Sequence, residues 1–340
     1  MVKKQNTKAD IVDVARAAKV SASTVSRSFN HPNLVNPATR KKIDRAVKKL
    51  GYIRNRAAQA MHGKRSGTIG LIVPTIDHAI FAEVVQSFSE VLEATGFTIL
   101  MASHGFDLDR EYQVLRKLLE HRVDGVALIG LNHTEDTFQL LEQQEIPAVA
   151  IWNYSDQSRI SCVGADNHLA GQLAAQHLLA LGHQDIGLIF PATDGNDRAL
   201  GRMNGAVETL AAAGISVPDE WRFEAPYDIG RAKKVCLEMF QHPHRPKALL
   251  CGNDVIAQGA IFAAQSEGLN VPQDMSIIGV GDFKGSAEIE PALSTIRIPA
   301  KNIGRISGEL IVDLVASGST TPERILCDVK QIIRNSTTFS

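Results

Sequence analysis

Between Ser21 and Arg27 the chain reads Ser-Ala-Ser-Thr-Val-Ser-Arg, a run of hydroxyls and methyls closed by one guanidinium. Side chains this short let a backbone approach another surface closely. A forked guanidinium at the end of such a run matches guanine O6 and N7 in a bidentate contact. On a helix, Ala22, Ser23, Ser26 and Arg27 share the face opposite Val25 and Phe29. Ala22 and Ser23, nearest the helix start, would meet base edges or a thymine methyl. Thr24, Asn30, Thr39 and Tyr52 carry hydroxyl or amide groups suited to phosphate oxygens, which fix register without reading sequence. Taken singly, each of these residues is ordinary surface; the arrangement carries the chemistry.

The surrounding residues predict the elements that would position this face. Ile11, Val14, Ala15 and Ala18 recur at helical spacing, with Asp10 as N-cap and Asp13 in the first turn. Lys19-Val20-Ser21 makes a short turn, and Ser21 caps a second helix from Ala22 to about Phe29, burying Val25 and Phe29. Should the turn need a left-handed residue, Lys19 costs about 1 kcal/mol there. Two short helices with a three-residue turn predict a helix-turn-helix over 11–30. A third helix starts at Asn36-Pro37, buries Ile43, Ala46, Val47 and Leu50, and stops at Gly51. Charge agrees. The first 65 residues hold 16 Lys/Arg against three acids, and the rest 20 Lys/Arg against 34 acids. A head of +13 on a body of −14 is the footprint of a polyanion binder.

Residues 55–63 contain good helix formers but are too few to hold a helix alone in water, so a partner must support it. Gly63 to Gly67 reads as a linker, and the pattern changes at Thr68. Short apolar runs (68–73, 97–101, 126–129, 148–151, 186–190, 248–250, 276–279) alternate with helical stretches (80–93, 109–121, 134–143, 167–181, 198–213, 228–241, 253–267, 300–317). This alternation predicts doubly wound parallel sheets, and the length suits two lobes. Ligands of such sheets lie beyond the carboxyl ends of strands. The loops there are polar: Asp77 to Phe81, Trp152-Asn153, Asp194 to Arg198 with Arg202, Asn253-Asp254, and Gly281-Asp282. An aromatic face with amide, carboxylate and guanidinium groups is a kit for sugars, although Asn253 and Asp254 would serve equally as helix caps.

Other chemistry leaves no trace. No apolar run approaches the roughly 18 residues of a membrane span, and Met1 to Asn6 is too polar for a secretory signal. Cys162, Cys236, Cys251 and Cys327 stand singly in apolar contexts, as reduced core residues of a cytoplasmic protein do. No metal spacing, phosphate loop or nucleophile elbow is present, so no cofactor and no enzyme activity is expected.

Asp13-Val14-Ala15, Val20 through Arg27, Asn30, Leu50-Gly51-Tyr52 and Asn55-Arg56 together resemble the N-terminus of the lactose-repressor family of bacterial regulators, and the likeness continues along nearly the whole chain. The resemblance implies an all-α helix-turn-helix head (9–63, hinge helix 55–63), a linker (64–67), and a periplasmic-binding-protein-like body of two α/β lobes (68–335). It assigns base reading to Ala22, Ser23 and Arg27, includes Asn55 in the DNA-contacting hinge, and places Met61 as the apolar wedge in the minor groove. It matches Arg202 to the family's effector-contacting arginine, Asn253-Asp254 to its ligand-side pair, and Phe81 and Tyr227 to aromatic walls. It also implies that Ser294–Ile298 and Ile303–Leu314 return to the first lobe. Gly281-Asp282 and the Trp152 region resemble the gluconate-operon branch, for which Arg198 and Arg202 would pair with a sugar acid. The expected protein is a homodimeric repressor on a near-palindromic DNA operator. It would lie in the cytoplasm on the nucleoid, with no membrane partner, and be released by a sugar or sugar acid held by Phe81, Trp152, Asn153, Arg198, Arg202, Tyr227, Asn253, Asp254 and Asp282. A transport-type sugar-binding protein, a sugar-processing enzyme and a corepressor-dependent regulator are the alternatives. The basic head disfavours the first, and the lack of a paired base and nucleophile disfavours the second.

Overall fold

A computed structural model describes residues 8–54, 65–76 and 81–340. The chain divides into two units, Met1–Ser66 and Gly67–Ser340.

In the first unit, α1 (Ile11–Ala18), α2 (Ala22–Asn30) and α3 (Pro37–Leu50) surround a core of Val14, Ala15, Ala18, Val25, Ile43 and Ala46. Asp10 and Asp13 form a reciprocal capping box on α1. Lys19 is left-handed (φ 56°, ψ 46°) and returns its N–H to Ala15 and Arg16 carbonyls, so the lysine does bear the strain of the turn. Ser21 caps α2, Asn36 caps α3 with Pro37 in its first turn, and left-handed Gly51 closes α3. The inner face of α2 differs from expectation. Val25 and Ser28 are buried, whereas Phe29 is half-buried and packs at 6.2 Å on Tyr52. Ala22 is also half-buried against this core, so its methyl is only partly presented outward.

The second unit carries two six-stranded sheets. The first lobe contains β1 (Thr68–Val73), β2 (Thr98–Ser103), β3 (Gly125–Ile129), β4 (Ala148–Asn153), β5 (Ser161–Ala165) and β11 (Arg324–Leu326). They lie in the order β11-β5-β4-β3-β1-β2, all parallel. Its helices are α4 (Ala82–Ala94), α5 (Leu108–Glu120), α6 (Glu135–Gln143) and α11 (Ala300–Ser317). The second lobe contains β6 (Ile186–Phe190), β7 (Arg222–Glu224), β8 (Ala248–Cys251), β9 (Ser276–Gly281), β10 (Ser294–Arg297) and β12 (Lys330–Ile332). The order is β12-β10-β9-β8-β6-β7, with only β12 antiparallel. Its helices are α7 (Asn167–Ala180), α8 (Asp197–Ala212), α9 (Ile229–Phe240) and α10 (Asp254–Ser266). In each lobe the strand order reverses beside the first strand, which places the ligand crevice at the carboxyl ends of β1 and β3 and of β6 and β8.

Ile303–Leu314 does return to the first lobe: α11 packs on α4 so closely that a Cβ on Gly304 would stand 2.3 Å from Val84 O. Ser294–Ile298 does not return. β10 lies parallel to β9 in the second sheet, with Ser294 and Thr295 buried and bonded to Thr337 and Asp254. β5, β7, β11 and β12 lie outside the predicted runs. β5 is Ser-Cys-Val-Gly-Ala, too small-featured to read as apolar, and the other three are three-residue edge strands.

Candidate functional site

Two surfaces collect the predicted residues. On α2, Ser23 and Arg27 are exposed, while Thr24 and Ser26 are half-buried. Ser21 is occupied as a cap: its Oγ accepts from Thr24 N at 3.1 Å and lies 2.8 Å from the Ser23 and Thr24 hydroxyls. Asn30 is also engaged, donating to Ser26 Oγ at 3.3 Å and accepting from Arg54, whose guanidinium lies over the Phe29 ring. Thr39 and Tyr52 are half-buried. The exposed chemistry of α2 is therefore Ser23 and Arg27 on a thin helix. Asn55, Met61 and the 55–63 hinge lie outside the described residues, as do residues 77–80.

The second surface is the cleft between the lobes. Phe81, Trp152, Arg198, Arg202, Tyr227 and Asn253 line one cavity together with Val280, Gly281, Phe283 and Ile298. Its volume is about 10 Å³, room for roughly one water. A sugar-sized ligand therefore requires the lobes to part. Trp152 reaches the cavity through a left-handed backbone (φ 88°), a costly conformation for a bulky residue and one that collects at functional sites. Neighbouring Gly164 permits this, since a Cβ there would lie 2.3 Å from Asn153 C. Phe81 meets Trp152 edge-to-face at 5.5 Å.

Arg202 is buried on α8 and held by neutral oxygens: Nε donates to Gly252 O (2.8 Å) and Nη1 to Asn167 Oδ1 (2.6 Å). Burial pulls its guanidinium below the ordinary arginine value; Tyr227 opposes this and Arg198 adds to it. α8 sits this deep because it crosses α7 at two glycines, where a Cβ on Gly171 would lie 1.9 Å from Arg202 O and one on Gly205 2.0 Å from His168 O.

From Arg202 a polar chain runs across the cleft. Asn167 donates to Asn153 (2.6 Å), and Asn153 donates to Asp197 (2.7 Å). Asp197 also accepts from Leu131 N (2.7 Å) and from Arg198 (2.9 Å), while Arg198 reaches Ile129 O (3.3 Å). Burial opposes the charge of Asp197, yet Arg198, the Leu131 amide and Asn153 outweigh it and hold the carboxyl below its ordinary range. Leu131, Ile129 and Asn153 belong to the first lobe and Asp197 and Arg198 to the second, so these bonds latch the lobes. Phe106, left-handed at φ 64°, adds a stacked contact on Tyr227 at 6.1 Å.

Three predicted effector residues stand elsewhere. Asn153 does not line the cavity and is part of the latch. Asp254 is consumed inside its own lobe, accepting from Phe283 N (3.0 Å), Ser286 Oγ (2.7 Å) and Thr295 Oγ1 (2.6 Å), and burial raises its carboxyl to about 6. Asp282 is clamped by Arg297 and Arg334, both at 2.6 Å, outside the cavity. Sequence reasoning placed Asp197 in a polar loop at the cleft without giving it a partner, and missed Asn167, Phe106 and the apolar wall of Val280, Phe283 and Ile298. Phe106 follows a glycine in a polar stretch and Asn167 follows a cap, so neither carries a distinguishing pattern. Among the described residues, no group of three or more His, Cys, Asp or Glu is placed to hold a metal, and no helix is long and apolar enough to cross a membrane.

A head with a helix-turn-helix and a body of two ligand-clasping lobes define a ligand-responsive DNA-binding regulator, and comparison with known proteins agrees. Residues 66–335 match the family of periplasmic binding proteins and sugar binding domains of the LacI family, and residues 10–55 match the bacterial regulatory proteins of the lacI family. The chain is 29% identical over 330 residues to the HTH-type transcriptional repressor PurR of Escherichia coli O139:H28, covering 96% of each. Its structure is similar to that of the Lac repressor dimer bound to operator and the anti-inducer ONPF (TM-score 0.84, 26% identity, 98% of this chain and 100% of that one). It is also similar to a complex of the transcriptional regulator CelR with cellobiose (TM-score 0.71, 25% identity, 96% and 99%). The chain belongs to the LacI family: it is a DNA-binding transcriptional repressor with an effector-binding domain, and not an enzyme.

Proposed function

We propose that this regulator represses a carbohydrate catabolic operon and releases its operator when a sugar acid, a small polyhydroxy carboxylate, enters the interlobe cleft. The observation that carries this reading is Arg202: a buried cation whose hydrogen-bond partners are neutral oxygens, beside Arg198, whose charge Asp197 already balances. A carboxylate between the two guanidinium groups restores neutrality through charge-assisted bonds, while Trp152 and Phe81 supply an apolar face for the carbon chain. The sugar-acid reading also follows the gluconate-operon resemblance at Trp152 and Gly281-Asp282. Cellobiose in the related CelR complex supports a carbohydrate as the ligand class.

The unit at 9–63 binds DNA, 64–67 links, and 68–335 senses the effector. A homodimer in the cytoplasm, on the nucleoid, grips a near-palindromic operator, as the related Lac repressor dimer grips its own. Ser23 and Arg27 read bases, Ala22 contributes its methyl, and Ser21, Thr24, Ser26, Asn30, Thr39, Tyr52 and Asn55 support the phosphate and hinge contacts. Met61 wedges the minor groove. Effector binding changes lobe angle and so the spacing of the two hinge starts. A coupling of about 1–3 kcal/mol changes operator affinity roughly 5–150-fold.

A thermal-shift screen of sugars and sugar acids against the full chain tests the effector class. Sugar acids raise the melting temperature at concentrations where the matching neutral sugars do not, and Arg202→Met abolishes the difference. Equal stabilisation by neutral sugars, or an unchanged response in Arg202→Met, would overturn the sugar-acid reading.

A further inference from the structure

Beneath the latch lies a cluster of titratable groups that the effector site does not use. His104 follows β2, Glu111 is on α5 and His133 follows β3, with relative exposures of 2%, 1% and 8%. His133 Nδ1 is 2.8 Å from Glu111 Oε1 and its Nε2 is 3.2 Å from Gly130 O. Both ring nitrogens of His133 are thus engaged by acceptor oxygens. His104 Nδ1 faces Asp107 O at 3.1 Å and is therefore a donor. Its Nε2 is buried without a hydrogen-bond partner, 3.7 Å from Glu111 Oε2. That nitrogen is the one vacant proton position in the cluster.

The surroundings decide what a proton there would do. From the first lobe, His104 faces Glu111, His133 and the Asp107 carbonyl; the Asp107 carboxylate itself is turned to Arg110 N. From the second lobe it faces Arg198 on α8. Burial lowers its pKa below the ordinary histidine value, Glu111 and Asp107 O oppose this, and Arg198 and His133 lower it further. Asp197, the other charge at the start of α8, faces His133. Gly130, whose carbonyl His133 holds, is pressed against α8: a Cβ there would lie 2.3 Å from Arg198 Nη1 and 2.9 Å from Asp197 Oδ1. The next residue, Leu131, donates across the cleft to Asp197. The loop carrying His104 also carries Phe106, which stacks on Tyr227 of the other lobe.

We infer that His104, Glu111 and His133 form a buried proton sensor for lobe closure, in which a proton taken up at His104 Nε2 parts the lobes. The sign follows from linkage. Closure brings Arg198 of the second lobe to His104, and that cation disfavours the imidazolium. His104 therefore binds its proton more weakly in the closed arrangement than in the open one, and by reciprocity the bound proton favours the open one. Each tenfold difference in proton affinity shifts closure tenfold. The inference stands on the interlobe geometry and holds whatever ligand the cleft takes, so loss of the sugar-acid reading leaves it intact.

Trp152 lines the cleft, and Trp221 is the only other tryptophan. In full-length Trp221→Phe protein without added ligand, Trp152 emission is followed from pH 7.5 to 5, together with exchange-rate-corrected hydrogen exchange at the Leu131 amide. The expected result is one transition of about one proton, with a red shift of Trp152 and a loss of Leu131 protection of roughly tenfold or more. Adding His104→Gln removes both changes. Histidine NMR titration of the unmutated cluster places the same midpoint on His104, independently of how any variant folds. Flat emission and exchange across the range, the same transition in His104→Gln, or a midpoint belonging to another histidine would each overturn the inference.

Discussion

Gly205→Ala tests how the buried arginine is positioned. A Cβ at residue 205 would lie 2.0 Å from His168 O and 3.1 Å from Gln172 N, both on the facing helix α7. An ordinary carbon–oxygen approach is about 3.3 Å, so α7 and α8 must separate by about 1.3 Å at the crossing. Arg202 is one turn away, and its 2.6 Å bond to Asn167 spans the same two helices. Stretched by about that amount it ceases to be a hydrogen bond. Overpacking costs about 1–3 kcal/mol, and the lost charged bond about 1.5–3 kcal/mol. Alanine's better helix propensity returns about 1 kcal/mol. The net loss is about 1.5–5 kcal/mol. Urea unfolding read by tryptophan emission reports this unit alone, because both tryptophans, Trp152 and Trp221, lie in it. The competing effects differ in sign, which makes the assay decisive. A variant as stable as the parent, or more stable by about the 1 kcal/mol that propensity alone supplies, refutes the close crossing.

Two further outcomes follow from the sites. The Asp254 carboxyl is raised from an unfolded value of about 3.9 to about 6, so its stabilisation is complete below pH 4 and is lost as pH rises through 6, about 3 kcal/mol in all. Asp254→Asn should flatten the pH 4–7 stability profile by about that amount, and an unchanged slope in urea unfolding would count against burial as the cause. Arg27→Ala should relax specificity at one base pair per half-site by about 1–3 kcal/mol, read by selection from randomised duplexes. Unaltered preference at every position would remove Arg27 as a base reader.

The first unit was legible in detail because its signals are local. Caps at Asp10, Ser21 and Asn36, the stop at Gly51, and apolar residues at helical spacing act within a few residues, and each appears where chemistry places it. Ser28 was not legible, since a buried serine in place of Phe29 depends on what α3 and Tyr52 leave open. In the body, most helices follow from amphipathic periodicity, although α7 and α10 are apolar around much of their circumference, whereas three-residue edge strands and the placement of β10 depend on tertiary pairing. The cleft divides the same way. Arg198, Arg202 and Phe81 follow strands at the crevice and Trp152 lies at the carboxyl end of one, so position brings them together. Asp254 and Asp282 also follow strands, but each is captured by nearby donors, Ser286 and Thr295 for one and Arg297 and Arg334 for the other. Which carboxylates remain free to meet a ligand is decided by such partners, and a loop sequence does not record them.

The central claim is that the cationic N-terminal unit holds duplex DNA under the control of the cleft. Its most direct test is the affinity of the full chain for a selected duplex as a function of salt, with and without a ligand identified by thermal shift. The account predicts a log–log salt slope of about −0.9 per phosphate contact, and a loss of affinity of roughly 5–150-fold when the ligand is added. Duplex binding that is absent or insensitive to salt, or an affinity that a cleft-bound ligand leaves unchanged, would contradict it.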